Sequence, residues 1–305
     1  MSRAASAPHP LRGILMILTA VTMFAVQDTI AKYLGRYYPI PGIVWARYAF
    51  HLLLVVIILG PRMKLGLVRT KRPGLQIARG FLLAASSLTF FSALKFMPMA
   101  EASSISFITP ILVTLLGVFL LKEKVEFARW VAVVAGFVGV LIIIRPGSGV
   151  FSWAALLPLS TAAVFAIYQI LTRKLAGVDS PYTSLFYAGL VGTVVLAFAL
   201  PFSWITPTTL PHALLLLAIG VIGVLSHLIL IRAYDHAAVS TLAPFSYTQL
   251  IWIILLGYVV FGDFPDQWSL VGIAVIMASG VYIATHQRLS ERQRRAELLE
   301  GAPGA

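Results

Sequence analysis

The chain has 305 residues, 59% of them hydrophobic and 11% charged, with a formal charge of +12 and no cysteine. A soluble core cannot absorb that much apolar sequence, and the lack of thiols excludes disulfides and thiolate metal sites. The basic residues sit in loops between apolar runs, which removes the nucleic-acid reading that such a charge would invite in a soluble protein.

An apolar stretch of ~20 residues crosses the ~30 Å hydrocarbon layer as a helix, because lipid offers backbone groups no partner and a helix satisfies its own. In chain order the expected spans are 12–33, 41–60, 75–95, 101–121, 127–144, 152–173, 182–203, 211–233, 240–260 and 268–286. The fold class is therefore an all-α polytopic membrane protein. Arg3 and Arg12 precede the first span, but it is too long for a signal peptide and lacks a cleavage site, so it reads as retained.

Span 1 carries Asp28 and span 2 carries Arg47, ionisable residues at a depth where charge is costly. Each lies ~8–9 Å below the same surface at ~1.5 Å per residue. A clamp between adjacent helices is the leading reading, and substrate binding or proton coupling is the other. His51, near the middle of span 2, reads as a packing histidine or a titrating one. Arg79 enters span 3 near the opposite face, where it can snorkel to headgroups or serve as a gate or counter-charge. Lys95 and Glu101 bracket the turn into span 4 and are expected to form a rim ion pair.

Ser103 and Ser106 place hydroxyls on span 4, while span 5 is almost wholly apolar, with Gly136 and Gly139 permitting close helix contact. Span 6 contributes Tyr168 and Gln169. His227 in span 8 is either a hydrogen-bonded packing residue or a proton carrier. Span 9 offers Ser246, Tyr247, Gln249 and Trp252, and Pro244 removes a helix donor there. These groups make a candidate substrate wall in which an aromatic ring could stack on a ring or a cation; simple packing is the alternative. The run after 286 reads as a short interfacial helix and a loose tail.

The second half repeats the first. At an offset of 140, Ala93, Ser106, Ile111 and Gly117 meet Ala233, Ser246, Ile251 and Gly257, and Glu123 meets Asp263. The expected organisation is a segment 1–11, a first repeat 12–147, a second repeat 148–286 and a tail 287–305. With the N-terminus in the cytoplasm, only Lys32, Arg36, Arg47, Lys95 and Arg145 of the 23 basic residues fall towards the outer side, as the positive-inside rule requires. Both termini are then cytoplasmic. Five spans per half is an odd number, so the halves enter the membrane in opposite senses. Loop 122–129, with Lys122, Lys124 and Arg129, and its counterpart 262–267, with Asp263 and Asp266, accordingly face opposite sides.

FAVQDTIAKYL at 24–34, WARYAF at 45–50, LKEKVEFARWVAVVAGFVGVLIIIRPG at 121–147 and FGDFPDQWSLVGIAVI at 261–276 resemble the EamA branch of the drug/metabolite transporter superfamily. The stretch IRAYDHAAVSTLAPFSYTQLIW at 231–252 is similar to the group containing bacterial S-adenosylmethionine uptake carriers. The resemblance implies a cavity lined by spans 1, 3, 4, 6, 8 and 9, with spans 5 and 10 peripheral, in a bacterial-type inner membrane. It implies a small-molecule cargo, an amino acid or an S-adenosylmethionine-like metabolite, moved by alternating access. Substrate exchange or an ion gradient, protons among them, would drive it, since no GxxxxGK[ST] loop occurs. A lipid or lipid-linked flippase of the same fold is the rival reading. No enzyme is expected, for no paired carboxylates, His cluster or nucleophile motif lies at membrane depth. No metal site or cofactor is expected either, and a homodimer is compatible with the sequence.

Overall fold

A computed structural model describes residues 10–121, 127–145, 152–175, 177–237 and 239–300. Arg3, Lys122, Lys124, Glu123 and the tail 301–305 lie outside the described residues. The described residues are helical throughout, joined by turns. The first long helices are α1 (Pro10–Leu34), α2 (Ile40–Met63) and α3 (Pro73–Phe96). Prolines open both α2 and α3 within the first two positions, where the missing N–H is one of the helix's unpaired donors anyway. Then come α4 (Met99–Ser106), α5 (Thr109–Leu121), α6 (Phe127–Ile144), α7 (Leu156–Leu175), α8 (Pro181–Ala197) and the single turn α9 (Leu200–Ser203). The chain closes with α10 (Leu210–His236), α11 (Val239–Ser246), α12 (Thr248–Phe261) and α13 (Gln267–Glu300).

Six helical stretches are long and apolar enough to cross a bilayer, and four shorter apolar helices accompany them, at Met99–Val113, Trp130–Ile144, Pro181–Ala197 and Gln267–Ile283. Four expectations need correction. Span 4 is interrupted at Phe107 and Ile108, and span 9 at Tyr247. Span 7 stops at Ala197, and the residues that follow it, such as Phe202, stand 91% exposed. The run after 286 is no separate helix, since α13 continues unbroken to Glu300.

Proline chemistry accounts for the first interruption. Pro110 has no N–H to give the Ser106 carbonyl, so that acceptor would be stranded in a dry interior. The Thr109 hydroxyl takes it instead, at 2.7 Å. At the second interruption, downstream of Pro244, the Thr248 hydroxyl donates to the Phe245 carbonyl at 2.7 Å. The two interruptions meet in space, for the Phe107 and Tyr247 rings lie 5.3 Å apart.

The most extensive helix pairings are α1 with α10, α6 with α13, α3 with α7, and α2 with α8, followed by α3 with α8 and α2 with α10. Large apolar residues are exposed along the outer stripes, as in α6 with Trp130, Val134, Phe137 and Leu141; polar ones are gathered inside. This is the inverse of a water-soluble bundle and suits a lipid-facing surface.

The α6/α13 pair is held close by glycine. A Cβ on Gly272 would come within 2.7 Å of the Gly139 carbonyl oxygen and 2.6 Å of an Ile143 side-chain carbon, and one on Gly139 within 3.0 Å of the Gly272 carbonyl. Backbone cannot yield cheaply there, so Gly272→Val is expected to lower stability by roughly 1–3 kcal/mol through overpacking, read as a fall in the thermal unfolding midpoint in detergent. Gly66, with open space around it, serves as the neutral control when changed to Ala.

Candidate functional site

The interior of the bundle holds two buried guanidinium groups, one bonded to a single hydroxyl and the other to two hydroxyls and a carbonyl. On α2, Arg47 and Tyr48 are buried among α3 residues. Arg47 Nη1 donates to Ser87 Oγ at 2.7 Å, and Ser87 Oγ in turn donates to the Leu83 carbonyl at 2.9 Å. The Tyr48 hydroxyl lies 2.8 Å from the same Oγ. The Arg47 guanidinium also sits 4.9 Å from the Tyr48 ring centre, a cation–π contact that strengthens as water is removed. Its Nε is buried without a hydrogen-bond partner.

Arg79 on α3 is only 7% exposed. Its Nε donates to Thr172 Oγ1 at 2.7 Å, Nη1 to the Ser184 carbonyl at 2.9 Å and Nη2 to the Tyr168 hydroxyl at 2.6 Å. The guanidinium covers the Tyr168 ring at 4.7 Å. This corrects the snorkelling expectation: the side chain turns inward and ties α3 to α7 and α8, because the planar fork has three acceptors in place.

The expected direct ion pair between Asp28 and Arg47 is also corrected. Among the described residues the carboxylate–base contacts within 4.0 Å are Lys32–Asp263 and Arg145–Asp266. Asp28 is instead approached by Gln249 Nε2 at 3.4 Å, which joins α1 to α12. Arg47 has turned to Ser87, though its field still reaches Asp28.

His227 and His51 come together, with ring centres 6.1 Å apart, and Phe24 meets His227 edge-on at 5.0 Å. A carbonyl can only accept, so the contact of 2.7 Å to the Gly223 oxygen puts a proton on His227 Nδ1, and the contact of 3.3 Å to the Leu185 oxygen puts one on His51 Nε2. Gln27, absent from the sequence reading, donates to the Ile219 carbonyl at 3.2 Å beside them.

The other candidates fall in different surroundings. Ser103 is buried with its Oγ unpartnered, and Ser106 Oγ donates to the Ala102 carbonyl at 3.0 Å. Gln169 is half-buried on α7, one residue from the Arg79 partner Tyr168. Ser246 closes α11. Tyr247 is 5% exposed, and its hydroxyl lies against Gly280 of α13, where an added Cβ would come within 1.8 Å. It is a wedge towards α13 and meets the Phe107 ring at a tilt of 41°. Trp252 is 38% exposed, next to the outward stripe of Ile251, Leu255 and Val259, and leaves the wall that span 9 was expected to form.

At one end of the bundle, ion pairs cross between the two halves of the chain. Lys32 Nζ meets Asp263 Oδ2 at 2.7 Å and Arg145 Nη2 meets Asp266 Oδ2 at 2.5 Å. The Asp266 carboxyl is held below its ordinary range, first by the Ser269 N–H at 2.7 Å and then by Arg145. Lys95 is exposed, and Glu101 accepts from Ser269 Oγ at 3.0 Å, so the expected Lys95–Glu101 rim pair is not formed.

At the opposite end Asp179 gathers Thr70, the Lys71 N–H at 3.0 Å and Gln76 Nε2 at 2.9 Å. Partial desolvation pushes its carboxyl up, but these donors, Thr70 foremost, outweigh it and hold the pKa below the usual value. A depressed folded-state pKa stabilises fully above the unfolded value of ~3.9 and is lost only as pH falls through the lower folded value. The link therefore holds at neutral pH. Asp179→Ala is expected to speed hydrogen exchange across residues 70–76 at pH 7 while leaving α6 unchanged.

Arg79 yields a sharper test. Arg79→Lys keeps the charge but loses the fork, and charged hydrogen bonds are worth about 1.5–3 kcal/mol each, so a clear drop in thermal stability is expected. Tyr168→Phe should couple to it in a double-mutant cycle by more than about 0.5 kcal/mol.

Residues 11–145 and again 152–285 match the model of the EamA-like transporter family. The chain is 33% identical to a riboflavin transporter of Vibrio cholerae, over 94% of this chain and 97% of that protein. It is 30% identical to an S-adenosylmethionine uptake transporter of Rickettsia bellii, over 89% and 92%. A pseudopaline exporter of Pseudomonas aeruginosa is 27% identical, over 89% and 95%. A solved structure titled "Crystal structure of protein" superposes with a TM-score of 0.59 at 20% identity, covering 91% of this chain and 98% of that one; it shares the fold.

Proposed function

Because the chain belongs to the EamA-like transporter family and is a multi-pass membrane protein, we propose that it is a secondary transporter built as two inverted five-helix repeats, 12–147 and 148–286. It moves a ring-bearing organic metabolite by alternating access in the cytoplasmic membrane, with both termini inside. The observation that carries this reading is the buried polar belt around Arg47, Arg79, His51, His227 and Asp28, at a depth where polar groups are costly and mark a pathway.

The helix pairing supports the repeats. Taking α4 with α5 and α11 with α12 as one span each, exchange of every span with its partner five places on turns α1/α10 into α7/α3 and α2/α10 into α8/α3. The pairs α2/α8 and α6/α13 map onto themselves, and all of these pairings occur. The helix interruptions obey the same exchange, since Phe107 and Tyr247 are related by the sequence offset of 140. Irregular backbone at the meeting point of two repeats is a recurrent transporter device.

Charge bears on the cargo. The belt sets two guanidinium groups against one carboxyl, and the guanidiniums are held by neutral oxygens. A net positive interior opposes a cation and favours a neutral or carboxylate-bearing molecule. The half-buried aromatic rings of Phe24 and Phe165 suit a flat ring. Of the cargoes named for the relatives, riboflavin fits this interior better than the sulfonium S-adenosylmethionine.

Purified protein in proteoliposomes, offered labelled riboflavin, S-adenosylmethionine and amino acids with and without a pH gradient, tests the reading. Saturable riboflavin uptake that exceeds S-adenosylmethionine uptake is the expected result, with Asp28→Asn lowering the rate in folded protein. Preference for the cation would sink the electrostatic argument. No saturable uptake of any compound would count against the transporter reading itself.

A further inference from the structure

Away from the polar belt, a cavity opens at the end of the bundle opposite the ion pairs. It measures about 430 Å³ and lies between α1 and α2, over α10, with Tyr182 of α8 at its side. Its walls are apolar apart from Thr19, whose hydroxyl is turned back to the Leu15 carbonyl at 2.9 Å: Leu15 and Met16 on α1, Ile58 and Leu59 on α2, Leu228 and Ile229 on α10. Arg62 and Arg232 also line it, and both are exposed. Arg232 Nε donates to the Tyr182 hydroxyl at 3.2 Å, which holds that guanidinium at the edge. Arg62 forms no hydrogen bond or ion pair among the described residues.

The cleft is a gap in the packing. On one side a small core of Val55, Leu59, Leu67, Leu185 and Val224 includes Ile58 and Leu228 among its neighbours. On the other, a core of Ile17, Val21, Ala233 and Leu242 includes Met16. The two clusters do not merge, and the cleft separates them. Apolar walls that face one another across an unfilled gap forfeit contact energy until something apolar enters.

We infer that this cleft holds one anionic phospholipid of the adjacent leaflet, with an acyl chain between α1 and α2 and its phosphate between Arg62 and Arg232. The class of ligand follows from the order of the lining. Aliphatic residues occupy the deeper part and guanidiniums the end of each helix, the sequence in which a lipid presents chain and then phosphate. Arg12, exposed one helical turn before Leu15, adds positive potential at the same end, where Asp235 is an exposed carboxylate on α10. A water-soluble anion would use the arginines and leave the aliphatic walls unpaired; a zwitterionic lipid would fill the walls but gain little from the arginines.

Native mass spectrometry of the delipidated full chain, titrated with phosphatidylglycerol, phosphatidylcholine or inorganic phosphate, tests the site. One tightly bound phosphatidylglycerol is expected, with phosphatidylcholine at least tenfold weaker and no saturable phosphate adduct. Arg62→Gln combined with Arg232→Gln should weaken phosphatidylglycerol binding by roughly 25-fold, since each surface cation near an anionic lipid contributes a factor of about five. Lys174→Gln, which removes an exposed charge on α7 outside the cleft, should leave it unchanged. Ile229→Trp fills the gap while keeping both arginines and should also expel the lipid, with thermal unfolding confirming that each variant is folded. Equal loss in Lys174→Gln would make the effect one of net charge and overturn the proposal. So would unchanged binding in either cleft variant, equal affinity for phosphatidylcholine, or displacement of the lipid by riboflavin, which would assign the cleft to the transport path. None of these outcomes bears on whether the protein transports.

Discussion

A guanidinium taken out of water must find acceptors for its N–H groups, and inside a lipid-facing bundle only other parts of the chain can supply them. Arg79 solves this with the Thr172 and Tyr168 side chains and the Ser184 carbonyl, which fixes α3 against α7 and α8. Arg47 solves it only in part, through Ser87, whose hydroxyl passes the bond on to the Leu83 carbonyl, while its Nε stays without a partner. Neither uses a carboxylate. The bonds are short and directional, yet the charge is not cancelled, so the helices are located by hydrogen bonding while the interior keeps a positive potential. A carboxylate pair would have held the helices as well but left the interior electrically blank.

The same shortage of acceptors and donors governs the helix interruptions. Pro110 releases the Ser106 carbonyl, which nothing solvates in lipid, and the Thr109 hydroxyl takes the bond; at the second break the Thr248 hydroxyl caps the Phe245 carbonyl. Backbone irregularity thus survives at the centre of the bundle without an unsatisfied group at the first break. It also brings Phe107 and Tyr247 into contact, so the two proposed repeats touch where each is least regular.

Helix content and the apolar spans were legible because hydrophobic length is a one-dimensional property. The family could be read from its motifs for the same reason. The close packing of span 5 was legible too: Gly139 in an apolar run indicates a near neighbour, and Gly272 is that neighbour. Side-chain partners were not. Asp28 and Arg47 lie at matching depth, but depth says nothing of azimuth, and a rotation about either helix decides between Arg47–Asp28 and Arg47–Ser87. For Arg79 the distance from the span end is legible, which leaves snorkelling and a gate or counter-charge both open, while the three acceptors on α7 and α8 are not. Trp252 and Gln249 are three residues apart on α12, and the sequence could not say which of them faces Asp28. The Lys32–Asp263 contact joins residues 231 positions apart, and only the charge asymmetry between loops 122–129 and 262–267 hinted at where such acids would be wanted.

That contact and its companion Arg145–Asp266 make the two ends of the molecule chemically unlike. One end is fastened across the halves by ion pairs of part-exposed side chains; the other is fastened by neutral donors around Asp179. Salt screens charges over a Debye length of about 8–10 Å at ordinary ionic strength and weakens exposed ion pairs more than neutral hydrogen bonds. Salt added to one compartment of a vesicle therefore loosens a protein whose paired end faces it and leaves the oppositely inserted population nearly untouched. The molecule carries its own marker of sidedness, and a mixed reconstitution can be sorted by which compartment's ionic strength it obeys.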